Sequence, residues 1–253
     1  MSGLPIWVQA AFWGGFAGAA LLVGALAGYY LNLNQRVVAG VMAFGSGALV
    51  SALSFDMVGQ AYAKGGLAVT VVGFLSGALI YSAANMILSL YGARHRKRSN
   101  LANRLDPEDL NYNYLGIALG ALIDGIPESI VIGVGMAVSG AVSLVTVAAV
   151  FISNVPEALS SSAGLKSNGK GLGYIMWLWG GIAVTTPILA GLGWGFFRDA
   201  PAGAVALIMA MGAGAILAMI VDTMIPEAFE ETHNFAGLIT AGGFLCAFIL
   251  DKI

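Results

Sequence analysis

The chain has 253 residues, of which 58% are hydrophobic and 9% charged; its mean hydropathy is +0.86 and its formal net charge is −2. Soluble domains carry about 25% charged residues, so this composition excludes a soluble globular domain and predicts an integral membrane protein. The single cysteine, Cys246, excludes a disulfide framework within one chain. The segment MSGLPIWVQA has no basic region before its apolar run, so we expect a spanning helix there and no cleavable signal peptide.

Apolar runs of about 20 residues are typical of helices that cross a bilayer. Eight such runs follow one another along the chain, with bounds at 6–31, 37–61, 66–91, 113–138, 141–164, 172–197, 202–228 and 234–252. One long polar stretch, 92–112, separates the third run from the fourth, and the other connections are short. We therefore predict an all-α membrane protein of eight spans that forms a single transmembrane domain.

Lysine and arginine are unevenly distributed over the predicted loops. Most of them lie in the loops after spans 1, 3, 5 and 7: Arg36, Arg94, Arg96, Lys97, Arg98, Arg104, Lys166 and Lys170. Loops rich in these residues stay in the cytoplasm, which predicts a cytoplasmic loop 92–112, both termini outside the cytoplasm, and an inner or plasma membrane. The basic run 94–98 is interpreted as this topology signal, and nucleic acid is not an expected partner.

Two stretches of the chain align at a spacing of 167 residues. The stretch GSGALVSALSFDMVGQA (45–61) aligns with GAGAILAMIVDTMIPEA (212–228). Gly45 and Gly47 match Gly212 and Gly214, and both stretches end in alanine. Each stretch is the middle member of three spans, and the equivalent spans are five apart, an odd number that inverts their orientation. Inverted repeats are typical of secondary transporters, whose binding sites lie near the bilayer midplane. We therefore predict a 3+2+3 arrangement with an inverted repeat.

Spans 4 and 5 each hold an acidic motif inside an apolar run, IDGIPES at 123–129 and ISNVPEA at 152–158. In each motif a polar residue and a glutamate are four positions apart, so they share one helix face. Each proline lacks an N–H, which leaves one backbone carbonyl without its usual donor near the acidic side chains. The motifs therefore predict oxygen-rich positions in the middle of two neighbouring spans.

Because spans 4 and 5 are adjacent and antiparallel, we predict that their polar residues face each other at similar depth. The predicted metal site comprises Asp124, Glu128, Ser153, Asn154 and Glu157. Carboxylates in hydrocarbon need a cation or protons to neutralise them, and oxygen ligands suit divalent metals such as Mn, Fe, Zn or Cd to different degrees. The alternative is that these acids bridge helices as protonated hydrogen-bond donors.

Three further acids lie at or near membrane depth: Asp56 in span 2, and Asp222 and Glu227 in span 7. An intramembrane acid is a functional-site hypothesis by default. These residues are predicted to line an ion or proton path, and the alternative is a protonated bond between helices or a solvated helix end.

The motifs of spans 4 and 5 resemble those of the ZIP (Zrt/Irt-like) family of divalent metal transporters. Members of that family have eight spans, both termini outside the cytoplasm and a long third loop inside. Their fourth span carries His-Asn-x-Pro-Glu-Gly and their fifth His/Gln-Glu/Asp/Asn-x-Pro-His/Glu, where this chain has DGIPES and SNVPEA. DTMIPEA at 222–228 resembles their seventh span. The resemblance implies that Glu128 and Glu157 bridge the metal and that Asp124 replaces a liganding histidine.

The chain departs from the family in its ligand set. Gly125 stands where an asparagine ligand is usual, and neither motif contains a histidine. Span 6 lacks the acid that gives some relatives a second metal. We therefore expect one cation rather than two, and zinc, which favours nitrogen and sulfur ligands, is not the expected preference.

The resulting hypothesis is a transporter, not an enzyme, that moves a divalent metal toward the cytoplasm through a site between spans 4 and 5. Its expected partners are the metal, the lipid bilayer and a second copy of the chain as a homodimer, with no resident cofactor. The alternative is a non-transporting relative that binds a metal or small ligand as a sensor or structural partner. An intramembrane hydrolase is disfavoured because the sequence has no Gly-x-Gly-Asp or His-Glu-x-x-His motif.

Overall fold

The computed structural model describes residues 4–31, 33–90 and 107–253, and every regular element in these ranges is a helix. The α-helices there are α1 (Ile6–Tyr30), α2 (Gln35–Ala52), α3 (Val58–Leu88), α4 (Pro107–Ser139), α5 (Leu144–Ser167), α6 (Leu172–Phe197), α7 (Ala202–Met219), α8 (Ile225–Thr232) and α9 (Ala236–Lys252). Single π-helical turns, Leu53–Met57 and Ile220–Met224, join α2 to α3 and α7 to α8. A 3-10 turn, His233–Phe235, precedes α9.

Six continuous helical runs in the described ranges are long and apolar enough to cross a membrane. Eight spans were predicted, and the difference lies in two long runs: Gln35–Leu88 has 54 residues and Ala202–Lys252 has 51. Each run joins two predicted spans, because no proline or long polar segment interrupts the helix at 62–65 or 229–233. The described residues therefore form an all-α, multi-pass membrane protein, but their helices do not form eight separate runs.

Helix α4 begins at Pro107, earlier than the predicted start of span 4 at residue 113. Proline is favoured at the first helical position because that position needs no backbone N–H donor. Helix α4 therefore includes the last residues of the predicted loop 92–112 as well as predicted span 4. The part of that loop before residue 107 lies outside the described residues.

Two backbone irregularities interrupt the long helical runs. Gly66, within α3, has φ 71° and ψ −178°, a combination that is essentially restricted to glycine. His233, directly after α8, has φ 46° and ψ −120°, and a positive φ is uncommon for any residue other than glycine. Regular helix therefore ends at both positions and begins again after them.

Replacing Gly66 with alanine is expected to lower the free energy of unfolding by about 1–3 kcal/mol, because a Cβ strains this backbone conformation. Nothing lies within 4 Å of the position that the Cβ would occupy, so crowding does not contribute. Gly59→Ala, at an equally open position in the same helix, is the control and should raise stability by up to about 1 kcal/mol. Equilibrium unfolding in detergent micelles measures both variants, and equal stabilities would contradict the prediction.

The helices pack in two groups. In the first helix group, α1 packs against α5 and α6, and α4 packs against α6. In the second helix group, α3 packs against α7, and α2 packs against α8 and α9. Glycine allows the close approach, as helices in membranes require: a Cβ at Gly28 would overlap the Leu159 carbonyl, and one at Gly77 the Met211 carbonyl. The two groups meet where α2 contacts α5 and where α4 contacts α3 and α7.

The surroundings of the two aligned stretches correspond. The π-helical turns at Leu53–Met57 and Ile220–Met224 lie 167 residues apart, the spacing of the sequence alignment. Each helix pair beside them has two reciprocal approaches of a glycine to a backbone carbonyl: Gly47 to Thr240 and Gly243 to Phe44 between α2 and α9, and Gly214 to Phe74 and Gly77 to Met211 between α7 and α3. The correspondence therefore extends from residue identity to packing.

Helices α1 and α6 run antiparallel where they touch. Three successive contacts define their direction: Ala11 with Gly191, Gly14 with Ala190, and Gly18 with Thr186. Residue numbers rise along α1 while they fall along α6. Both helices also carry the pattern Trp-Gly-Gly-x-Ala, at 13–17 and at 179–183. Two helices that share a pattern thus point in opposite directions.

Candidate metal centre

Helices α4 and α5 continue through the prolines of the two acidic motifs. Pro127 lies inside the 33 residues of α4, and Pro156 lies inside the 24 residues of α5. A proline inside a helix leaves the carbonyl four residues before it without its N–H donor. These carbonyls belong to Ile123 and Ile152, so each motif adds a backbone oxygen that is free of its usual helical bond.

All five residues of the predicted metal site are buried. Their exposed fractions are 2% for Asp124, 3% for Glu128, 2% for Ser153, 5% for Asn154 and 8% for Glu157. Helix α5 has the largest buried share of the six membrane-spanning runs, so its polar residues lie well inside the bundle. Burying polar groups is unfavourable unless hydrogen bonds or a ligand compensate.

Hydrogen bonds connect residues of the predicted site to their own and to neighbouring helices. The Tyr81 hydroxyl, on α3, donates to Asp124 Oδ1 over 2.5 Å. The Ser153 hydroxyl donates to the Val150 carbonyl in its own helix over 2.9 Å. Asn154 Nδ2 donates to the Ala17 carbonyl of α1 over 3.4 Å, which leaves its side-chain oxygen available as an acceptor. Asp124 is therefore tied to α3, whereas Asn154 is tied to α1.

The buried carboxylates have no buried basic residue near them in the described part of the chain. Among the described side chains, none of those that are buried is a lysine, an arginine or a histidine. Arg198 and Lys252 instead form surface ion pairs with Asp199 and Asp251. An ionised carboxylate at the centre of a spanning helix costs about 2.5–3.5 kcal/mol. A cation or protons would remove this cost.

The described residues do not assemble a cluster of metal-binding side chains by themselves. No three residues among the described aspartates, glutamates, histidines and cysteines converge closely enough to hold a metal ion. The predicted site also includes a serine, an asparagine and backbone carbonyls, which are oxygen donors of another kind. The five-residue site therefore stays a prediction, with all of its members buried on two helices that contact each other.

The predicted path residue Asp56 lies in the first π-helical turn and joins the two helix groups. One of its carboxylate oxygens accepts a hydrogen bond from Thr146 Oγ1 of α5 over 2.6 Å. The other accepts a hydrogen bond from Gln60 Nε2. The three residues surround a small cavity that also reaches Ser143. Asp56 is therefore part of a polar contact between the first π-helical turn and α5.

The other two predicted path residues, Asp222 and Glu227, lie in the second of the two aligned stretches, 212–228. Asp222 lies in the second π-helical turn, where it is exposed and its Oδ2 is 3.5 Å from the Ser82 hydroxyl of α3. Glu227 is half-buried in the first turn of α8. Asp56 and Asp222 thus occupy the two related π-helical turns, although they are not aligned with each other residue for residue.

Sequence reasoning missed the tyrosine and the hydroxyl residues that accompany the acids. Tyr81 lies in an apolar run and carries no motif, so no local pattern singled it out. The buried serines and threonine of α5 could have been found from helical periodicity, because they recur along the faces that carry Ser153 and Glu157. They are Thr146, Ser160 and Ser161.

No protein-family model matches this sequence, and no curated protein matches it. The resemblance to the ZIP family therefore stays a hypothesis that depends on short motifs and on the predicted topology.

Proposed function

We propose that the chain is a ZIP-like secondary transporter that carries a divalent metal cation through a site on α4 and α5. One observation supports this most: Asp124, Glu128 and Glu157 are buried in membrane-spanning helices, while no buried side chain in the described residues is basic. A bound dication would neutralise these carboxylates and would remove most of the cost of placing them in hydrocarbon. Ser153 and Asn154 add neutral oxygen ligands on α5.

The chemistry of the predicted ligands favours some divalent metals over others as the transported ion. Carboxylate, amide, hydroxyl and carbonyl oxygens suit hard and borderline cations, whereas thiophilic ions favour sulfur. We therefore propose a single dication of the Mn or Fe(II) kind as the preferred cargo, with Zn and Cd as competitors. A metal that must leave again needs moderate affinity, and the absence of histidine and cysteine ligands from the site is consistent with this requirement.

Eight crossings of the membrane are part of the proposal. A straight helix of the length of Gln35–Leu88 would extend about 80 Å, whereas the hydrocarbon core is about 30 Å thick. The breaks at Gly66 and His233 divide each long run into two pieces of spanning length. The resulting arrangement would be 3+2+3, and the antiparallel contact of α1 with α6 supports an inverted relation of the two repeats.

The two helix groups are the moving parts of the proposed mechanism. The predicted ligands all lie on α4 and α5 of the first helix group, so a shift of this group against the second would carry the cation with it. In the proposed orientation, both termini lie outside the cytoplasm and Asp56 faces the external side. Asp222 and Glu227 would then lie on the cytoplasmic side, where the cation is released.

Uptake into liposomes tests the proposal directly. The purified protein, reconstituted at a known orientation, is expected to admit one or more of Zn, Cd, Mn, Fe(II) and Co above the level of protein-free vesicles, with Mg and Ca as comparison ions. Flux identifies a transporter and its preferred ion. Binding of a dication without flux, with the protein folded and correctly inserted, would instead favour the non-transporting sensor or structural relative.

A further inference from the structure

The hydrogen bond from Tyr81 to Asp124 is buried at both ends. Tyr81 is 3% exposed and Asp124 is 2% exposed, and the two oxygens are 2.5 Å apart. Hydrogen bonds from a hydroxyl to an ionised carboxylate are typically about 2.5–2.7 Å long and roughly twice as strong as neutral ones. The distance lies at the short end of the range for a hydroxyl that donates to a carboxyl oxygen.

An apolar cavity of about 300 Å³ lies beside this bond, between α3, α4 and α7. Tyr81 forms part of its wall, together with Ile123, Pro127 and Met211. In apolar surroundings a hydrogen bond is stronger than in water, because the local dielectric constant is low.

The bond crosses the boundary between the two helix groups. Tyr81 belongs to α3 in the second helix group, whereas Asp124 belongs to α4 in the first. The Thr146 to Asp56 bond crosses the same boundary, between α5 and the first π-helical turn. Any displacement of the first helix group against the second must therefore break or rebuild the contact between Tyr81 and Asp124.

We propose that Tyr81 is a positioning residue of the cation site. Its hydroxyl holds the Asp124 carboxylate against α3 in the arrangement described here, and Asp124 becomes a cation ligand when α4 separates from α3. Cation binding and the separation of the helix groups are then coupled, because the Asp124 carboxylate must leave its position against α3 before it can converge with the other predicted ligands. This inference rests on the proposed function, since it takes Asp124 to be a ligand.

Equilibrium binding of Mn²⁺ to the purified protein, followed by the electron paramagnetic resonance signal of the free ion, tests the proposal. Tyr81→Phe removes only the hydroxyl, and we expect it to tighten the apparent Kd for Mn²⁺ about tenfold or more, since a competing bond to a charged group is lost. Tyr62→Phe changes an exposed tyrosine of the same helix and should leave the Kd unchanged. An unchanged or weaker Kd in Tyr81→Phe would overturn the inference.

A double-mutant cycle separates positioning from a general structural role. In an Asp124→Ala background, Tyr81→Phe should no longer change the Kd, because the oxygen that accepts the hydrogen bond from the hydroxyl is absent. A tyrosine that only supports packing would shift the unfolding transition equally in both backgrounds. A tenfold effect that persists in Asp124→Ala would overturn the assignment.

Binding of Mn²⁺ to the wild-type protein distinguishes a failure of the proposed function from a failure of the positioning role alone. If the wild-type protein binds no Mn²⁺ or other dication, the proposed function fails and the positioning role fails with it. If it binds Mn²⁺ and Tyr81→Phe has no effect, only the positioning role fails.

If Tyr81→Phe does not fold, the tyrosine absorption of the wild-type protein is measured instead. Saturation with Mn²⁺ should perturb this absorption, and an unchanged spectrum would overturn the inference.

Discussion

Replacing Glu128 with alanine is expected to abolish cation uptake into liposomes. Glu128 is 3% exposed in the middle of α4 and is the predicted metal-bridging acid of its motif. Removing one partner of a buried charge pair typically costs about 2–5 kcal/mol, which corresponds to a loss of affinity of roughly 30-fold to several thousandfold. The initial rate of uptake at low cation concentration should fall by a similar factor.

Two further variants make this result specific. Glu128→Gln keeps the size of the side chain and removes its charge, so it should fold and should lose uptake almost as completely. Glu230→Ala removes an exposed acid of α8 and should keep uptake within about twofold of wild type. Uptake that survives in both Glu128 variants would place the cation elsewhere and would contradict the assignment of this residue.

Replacing Gly243 with alanine is expected to destabilise the protein by about 3 kcal/mol or more. A Cβ at this position would overlap the backbone carbonyl of Phe44 in α2, and a backbone atom cannot rotate away as a side chain can. Overpacking typically costs about 1–3 kcal/mol when side chains can adjust. Here α9 would have to separate from α2, so the loss should lie at or beyond the upper end of that range.

The adjacent glycine provides a matched control. Gly242 has nothing within 4 Å of its Cβ position, so Gly242→Ala should be neutral or slightly stabilising in the same helix. Unfolding in detergent micelles, followed by circular dichroism, compares the two variants. Gly77→Ala, at the corresponding contact of α3 with α7, should repeat the loss seen for Gly243→Ala. Similar stabilities of Gly242→Ala and Gly243→Ala would contradict the packing described here.

The sequence predicted the burial of the acids correctly. Hydropathy places 113–138 and 141–164 in the membrane, and the motif positions at the middle of these runs predict that Asp124, Glu128 and Glu157 are deep. This inference succeeds because the period and length of an apolar run are local properties of the chain. The alignment at a spacing of 167 residues likewise pointed to two stretches that have matching π-helical turns.

Helix boundaries were predicted less well. Hydropathy predicts loops between spans at 62–65 and 229–233, but residues 62–65 are helical and helix α8 continues to Thr232. Gly66 and His233 break the regular helix through unusual φ and ψ values, which a hydropathy profile does not reveal.

Composition and local pattern alone determined that this is a helical membrane protein with acids buried in two proline-containing spans. Only the tertiary structure showed that the Tyr81 hydroxyl donates a hydrogen bond to Asp124 and that Thr146 donates one to Asp56. It also showed where glycines let neighbouring helices approach each other closely. These contacts join residues far apart in the chain, and they depend on how each helix is rotated and crossed against its neighbours. Close packing of small residues sets that rotation and crossing, and no single segment of the sequence contains it.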